Sequence, residues 1–438
     1  MNIVIAILVF SLLILFHELG HFSLAKLNGI RVNEFSLGLG PTIFGFTKGE
    51  TKYSLKLLPF GGACMMEGED EDSDDDRAFN KKGVWARISV VAAGPIFNFI
   101  MAVVFSIVVI SAIGIDRPEI YQVTDNSPAS YAGLLPGDML TQFDGKNIHF
   151  GREMFLIETL SPISSEEAIT IKYMREGKEY TTTLTPVKKE QYLVGFTYTS
   201  TGEAAVIQGI VEGGALSQTE ALAGDVIVAI NGTAIDTADS LEKYFSDHPT
   251  TSNPITLTLS RVTGDKTEQF DVTVTPQYAG IYYDTGFVYN KYNIREKTNF
   301  LETIYFSFCE LGYYVDTTFQ SLKMLLTGGA SVNDLSGPVG IVQNMGESFE
   351  EAEEEGGFLI GILTIMNWAI MLSANLGVMN LLPIPALDGG RLVFLIIEAI
   401  RGKAMDPNKE GMVHMIGIIL LFLLMFFVMF NDIRKLFI

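Results

Sequence analysis

Charge is scarce in this sequence. Only 18% of its 438 residues are Asp, Glu, Lys or Arg, against about 25% in an ordinary soluble protein. Positive charge is scarcest: 30 Lys and Arg face 51 Asp and Glu, a formal net charge of −21. So few bases exclude a basic nucleic-acid binder, and no nucleic-acid partner is expected. Cysteine is almost absent, with Cys64 and Cys309 alone, which excludes a small disulfide scaffold. No basic residue precedes Lys26, so the apolar N-terminus lacks the charged start of a secretory signal peptide. With 48% hydrophobic residues and a mean hydropathy of +0.29, the chain is no disordered protein either. What remains is a chain with several membrane spans and substantial polar domains.

Residues Ile3–Ala25 are apolar for long enough to cross a ~30 Å hydrocarbon core as a helix. Further spans are expected at Ile88–Ile115, Gly357–Leu382 and Met412–Phe430. The segment Lys26–Arg87 carries nine Lys and Arg, and Arg391–Lys409 carries four. Basic residues mark the cytoplasmic side. Four spans then place both termini and the long middle region outside, in a multi-pass protein of the cytoplasmic (inner) membrane. Cys64 and Cys309 fall on opposite sides, so no disulfide joins them, and Cys64 reads as a small packed hydrophobe. The acids gather in two runs, eight in Glu67–Asp76 and six in Glu347–Glu355, which read as solvated flanks.

The first span is chemically odd. It holds His17-Glu18-Leu19-Gly20-His21, and ionisable groups at membrane depth are costly and mark function. Four residues apart on a helix, His17 and His21 share a face. This is the H-E-x-x-H pattern of zinc hydrolases, in which the imidazoles hold the metal and the Glu is the general base. Two histidines leave a catalytic zinc one protein ligand short. The best donor is Asp388, in Asn380-Leu-Leu-Pro383-Ile-Pro385-Ala-Leu-Asp388-Gly389-Gly390. There two prolines and two glycines break an apolar region, and irregular backbone survives at membrane depth only where it lines a cavity or is buried in protein. His149, His248 and His414 have no ligand partners by spacing and read as incidental.

These motifs, with Leu58-Pro59-Phe60-Gly61-Gly62, Ala93-Gly94-Pro95 with Asn98, and Ser336-Gly337-Pro338-Val339-Gly340-Ile341, occur in order along nearly the whole chain. The chain resembles the bacterial site-2 protease family of intramembrane zinc metalloproteases, its RseP-type branch. The resemblance implies that His17, His21 and Asp388 hold Zn2+, that Glu18 is the base, and that Asn380 stabilises the tetrahedral intermediate. It implies single-span membrane proteins as substrates, such as anti-sigma factors already trimmed by another protease, or remnant signal peptides. The site lies toward the cytoplasmic side, in a hydrated pocket between the first three spans. Two departures are visible. Arg391 follows Gly-Gly where His is usual, and Ala63-Cys64-Met65-Met66 replaces an aromatic and a basic residue, a change expected in substrate contacts.

A substrate helix must be opened locally for cleavage, and extended chains are often held by strand addition. Phe35–Phe46 and Thr51–Phe60 read as a small membrane-associated β-sheet for this purpose, ended by Leu58–Gly62. Gly94-Pro95 and Asn98 are expected to bend the second span near the site. In the middle region, Leu134–Ile148 matches Ala221–Ile235 at an offset of 87 residues. Each is a Gly-Asp turn, an apolar strand, then a hairpin turn. The pattern resembles PDZ domains, which bind peptides at a strand edge. Substrate gating, capture of peptide C-termini, and plain packing are all compatible with the pair.

The fold expected is a polytopic α-helical membrane protein of about four spans, with tandem extracytoplasmic PDZ-like α+β domains and a small membrane-associated β-sheet. Its parts are a first membrane half at 1–115 (with spans 3–25 and 88–115 and the hairpin loop 35–62), PDZ-like domains at 116–190 and 194–280, an amphipathic helix and connecting loop at 299–356, and a second membrane half at 357–438. Its function is that of an intramembrane zinc endopeptidase, and the alternative is an inactive membrane-anchored PDZ adaptor. An intact Glu18 argues against the adaptor, which has no use for a base.

Overall fold

The computed structural model describes residues 2–69, 73–160, 162–198, 204–263, 266–289, 295–329, 336–403 and 405–435. Residues 70–72 of the first acidic run, 199–203 and 264–265 of the second repeat, and 330–335 of the stretch expected to hold an amphipathic helix and connecting loop (299–356) lie outside them. The chain divides into two compact units, residues 1–115 with 296–438, and residues 116–295.

The first unit begins with α1 (Asn2–Leu27). Next come β1 (Val32–Lys48) and β2 (Thr51–Met66), then α2 (Val84–Ile113). Gly20 lets α1 meet α2 backbone to backbone: a Cβ there would lie 2.3 Å from the Ala93 carbonyl oxygen. The hairpin is longer than expected. Leu58–Gly62 is a bend rather than an end, because Leu37 pairs with both Leu55 and Gly62. The first half of β1 therefore lies between two segments of β2, Lys52–Leu55 on one side and Gly62–Met66 on the other. Gly61, at φ +85°, takes the turn. Alternation along the last segment sends Cys64 and Met66 into a core with Ala25, Ile30, Val90 and Leu395.

β3 (Ile115–Asp116) crosses the boundary between the units, and the second unit then runs through β4 (Ile120–Val123), α3 (Pro128–Tyr131), β5 (Met139–Phe143) and β6 (Lys146–Asn147). It continues with α4 (Gly151–Leu160), β7 (Ile169–Arg175) and β8 (Lys178–Leu184), giving a sheet ordered β6-β5-β7-β8. Then come β9 (Val187–Leu193), β10 (Phe196–Tyr198), β11 (Ile207–Ile210), β12 (Val226–Ile230) and β13 (Thr233–Ala234). After α5 (Ala238–Asp247), β14 (Ile255–Thr263) and β15 (Lys266–Val274), the order β13-β12-β14-β15 repeats the first sheet.

The repeat extends to its chemistry. Asp138, 1% exposed, takes two bonds of 2.6 Å from Arg175 and the Leu135 N–H. Asp225, equally buried, takes two of 2.7 Å from Arg261 and the Leu222 N–H. These are the aspartates of the two Gly-Asp turns. Each needs its arginine, because a buried charge stripped of its partner costs about 3–5 kcal/mol.

The two halves are not in tandem, however. β16 (Gln277–Asp284) returns to pair with β9, and β17 (Phe287–Tyr289) pairs with β4. Phe287 and Tyr289 pack on the first core, with Ile120, Leu140 and Phe143. The second repeat is thus inserted into the first. The expected boundaries at 190 and 280 miss this because the returning strands are short and lie far along the chain.

The first unit resumes with α6 (Phe300–Thr327), α7 (Pro338–Gly356), α8 (Phe358–Leu381), α9 (Asp388–Arg401) and α10 (Pro407–Lys435). Among the described residues four helices are long and apolar enough to span a bilayer: Val4–Leu27, Val84–Ile113, Phe358–Leu381 and Lys409–Arg434. The protein is a multi-pass membrane protein. α6 carries the expected helix and is opened by an Asn299–Glu302 capping box.

α7 replaces the expected connecting loop with a helix, while most of its acids stay exposed as a flank. Met345 and Phe349, one turn apart, are buried with Val9, Leu13 and Met101, and the acids take the other positions. Asp432 of α10 starts this helix by accepting the N–H groups of Gly337 and Gly340, each at 3.0 Å. That contact explains the glycines of the Ser336–Ile341 motif: a Cβ at Gly337 would lie 2.7 Å from Asp432 Oδ2.

Candidate metal centre

His17 and His21 project from the same face of α1, one helical turn apart, with their Nε2 atoms 3.2 Å apart. Asp388 opens α9 and brings Oδ2 to 3.2 Å from Nε2 of His17 and 3.4 Å from Nε2 of His21. Two glycines make this possible. A Cβ at Gly389 would lie 2.1 Å from the Leu382 carbonyl oxygen, and one at Gly390 would lie 2.5 Å from that of Ile384. The first turn of α9 therefore folds tightly onto the Pro-rich segment before it. From α2, Gly94 leaves room for both rings, since a Cβ there would meet His21 Nε2 at 2.3 Å. α2 runs as one helix through Pro95, and Gly94 serves close approach to the histidines.

The donor set fits a zinc ion. Zinc takes N and O ligands at about 2.0–2.1 Å in a tetrahedron, whose ligands then stand about 3.3 Å from one another; here the three edges are 3.2, 3.2 and 3.4 Å. Asp388 Oδ2 is buried and makes no hydrogen bond. Two imidazole nitrogens and a carboxylate oxygen converge on one point, an arrangement that a cation satisfies. The ring nitrogens facing away are also held. His21 Nδ1 lies 2.9 Å from the Val90 carbonyl oxygen, to which it donates, leaving Nε2 as a lone pair. The Asn98 amide lies 3.1 Å from His17 Nδ1, and its Oδ1 is buried without a partner. A half-turn of that amide puts Oδ1 where it accepts the proton that His17 Nδ1 carries when Nε2 faces a cation.

The three groups open into a cavity of about 560 Å3, lined also by Glu18, Val91, Ala63–Met66 and Arg391. Its edge is the last segment of β2. Among the described residues that segment has a strand partner on one side only, β1, and Gly62 packs against Glu18, where a Cβ would lie 3.0 Å from Cγ. The Cys64 thiol is pushed up by burial, with the charges of Glu18 and Glu69 adding to the effect; it is a packing residue.

Two expectations are corrected here. The cavity is lined from α1, α2, α9 and the hairpin, with no residue of α8, rather than lying between the first three spans; Asn380 stands in the last turn of α8. The first acidic run is not merely a solvated flank, because Glu67 and Glu69 line the mouth. Ser73 and Asn33 donate to Glu67 at 2.6 and 2.8 Å and hold its carboxyl below the usual range, while Glu69 pairs with Arg391. Both departures, Arg391 and Ala63–Met66, thus meet at one opening. No spacing signal connects residues 67–73 with 391, and only the folded hairpin brings them together.

The sequence profile of peptidase family M50 matches residues 5–424. A putative zinc metalloprotease of Clostridium acetobutylicum is 32% identical over 99% of this chain and 97% of its own length. The regulator of sigma-W protease RasP of Bacillus subtilis is 28% identical over 100% and 99%. Among solved structures, a PDZ domain of a carboxy-terminal protease from Vibrio cholerae, in complex with a peptide, aligns with 21% of this chain and 97% of that one at 18% identity and a TM-score of 0.17.

Proposed function

Since the chain belongs to peptidase family M50 and is a zinc metalloprotease, we propose that it hydrolyses peptide bonds within the membrane segments of single-span membrane proteins. The observation that carries this reading is the convergence of His17, His21 and Asp388, whose ligand atoms all lie within 4.8 Å of one another beside a span-borne glutamate. These three hold the zinc. When bound, the ion acts as a Lewis acid that lowers the pKa of water toward 7 and polarises the scissile carbonyl. Glu18 takes a proton from the attacking water and returns it to the leaving amine. The free edge of Gly62–Met66 holds the opened substrate as an added strand, its backbone groups supplying the hydrogen bonds that the substrate helix gives up. Glu67, Glu69 and Arg391 meet the flanking residues of the substrate.

By the distribution of Lys and Arg, the termini and residues 116–295 are extracytoplasmic and the cavity opens toward the cytoplasm. The substrates we propose are membrane-anchored anti-sigma factors, in line with the name of the Bacillus subtilis relative, or remnant signal peptides. In detergent, the purified chain is expected to hold one zinc and to cut a single-span substrate; a zinc-loaded chain that leaves every such substrate intact would sink the proposal.

Two further outcomes follow from this reading. Asn380, eight residues before Asp388, donates to the developing oxyanion once substrate is drawn in. Asn380→Ala is then expected to lower kcat about 10²–10³-fold with little change in KM, and an unchanged kcat removes Asn380 from the reaction. The second outcome concerns size selection by residues 116–295. A Cβ at Gly114 would lie 2.1 Å from the Glu296 carbonyl oxygen, so a deletion of 116–295 leaves ends that are already adjacent. The deleted chain is expected to accept substrates with bulky extracytoplasmic domains that the full chain refuses; equal size limits in the two chains count against gating.

A further inference from the structure

The last span reaches the segment that carries Asp388 at two points. His414 Nδ1 accepts the backbone N–H of Ala386 at 3.0 Å. Three residues on, the same face of α10 brings Gly417 against Pro385, where a Cβ would lie 2.4 Å from the carbonyl oxygen. The His414 ring also meets Phe394 of α9, with centroids 5.6 Å apart. One imidazole therefore ties α10 both to the loop before Asp388 and to the helix that Asp388 begins.

The tie falls where the backbone is least comfortable. Ala386 has φ +80°, a region that a Cβ disfavours. Among the described residues, the other non-glycine residues at positive φ are Asn126, Asp144, Glu176 and Asn231, all in turns of the second unit. A strained residue two positions before a site carboxylate persists only when its surroundings hold it. Ala386 is half-buried, and its N–H is held by an acceptor from the protein. His414, which spacing alone marks as incidental, supplies it.

We propose that His414 is a positioning residue for the metal centre: by accepting the Ala386 N–H through Nδ1, it fixes the turn that presents Asp388 to His17 and His21. This rests on Asp388 being a zinc ligand. Groups that orient metal ligands from behind typically contribute 10–100-fold in metal affinity or activity.

The test compares two polar substitutions in the full-length chain. His414→Asn places a carbonyl oxygen close to where Nδ1 lies, and His414→Gln places one close to Nε2. Zinc affinity is read by competition with a chelator, and kcat and KM on a single-span substrate. His414→Asn is expected to stay near the wild type. His414→Gln is expected to bind zinc about 10–100-fold more weakly and to lose kcat while KM holds. Unchanged zinc affinity in His414→Gln, or an equal loss in both variants, overturns the proposal. Asp388→Asn serves as the control. If it keeps zinc, the ligand assignment itself is wrong; if it loses zinc while His414→Gln keeps it, only the role of His414 fails.

Discussion

Glu18→Gln is expected to keep one zinc per chain and to lose cleavage by about 10²–10⁴-fold, the range that a positioned general base contributes. The substitution changes little besides basicity. Glutamine has the same shape, so the contact of the side-chain methylene with Gly62 persists, and the donor triangle of His17, His21 and Asp388 does not include residue 18. What is lost is the carboxylate assigned to take a proton from water and hold it. Zinc content by elemental analysis and single-turnover cleavage of a single-span substrate separate the outcomes. Full cleavage in Glu18→Gln assigns the base elsewhere. Lost zinc makes Glu18 part of the metal centre. A wild type that holds zinc but never cleaves returns the adaptor reading, for which residue 18 has no consequence.

The legible parts of this protein are those with a local period or a local cost. His17 and His21 stand out because four residues make one helical turn, and because three polar groups in an apolar span need a reason. Asp388 stands out because prolines and glycines break an apolar run around it. The four spans are legible from length and composition alone, to within a few residues at each end. Illegible parts depend on contacts between distant segments. The apolar face of α7 repeats every four residues at Ile341, Met345 and Phe349, but the acidic run that starts at Glu347 and continues past Phe349 hides it, and the Asp432 that starts the helix lies 92 residues beyond Gly340. Gly61 and Gly62 read as a stop, yet with Gly61 in a positive-φ conformation they let β2 continue on the other side of β1. The insertion of the second repeat into the first depends on Phe287 and Tyr289, two aromatic residues with no sequence mark of the core that they complete.

Removal of the metal is expected to weaken the membrane unit of the wild type and to leave Asp388→Asn and His17→Ala unaffected. In the wild type, zinc joins α1 to α9 through donors on both helices. A ligand held at 100 times its dissociation constant stabilises the folded state by about 2.7 kcal/mol, and a chelator takes that away. With either donor gone, zinc affinity falls well beyond the ~10–100-fold that a lost supporting hydrogen bond costs, so the chelator has nothing to remove. Thermal unfolding with and without chelator, at fixed zinc, therefore gives a shift in the wild type and none in the variants. Asp388 is the more informative of the two. It lies 367 residues beyond His21 in sequence (388 − 21), and its Oδ2 makes no hydrogen bond within the protein, so an unaltered chelator shift in Asp388→Asn would leave its buried carboxylate without a physical explanation and would end the three-ligand assignment.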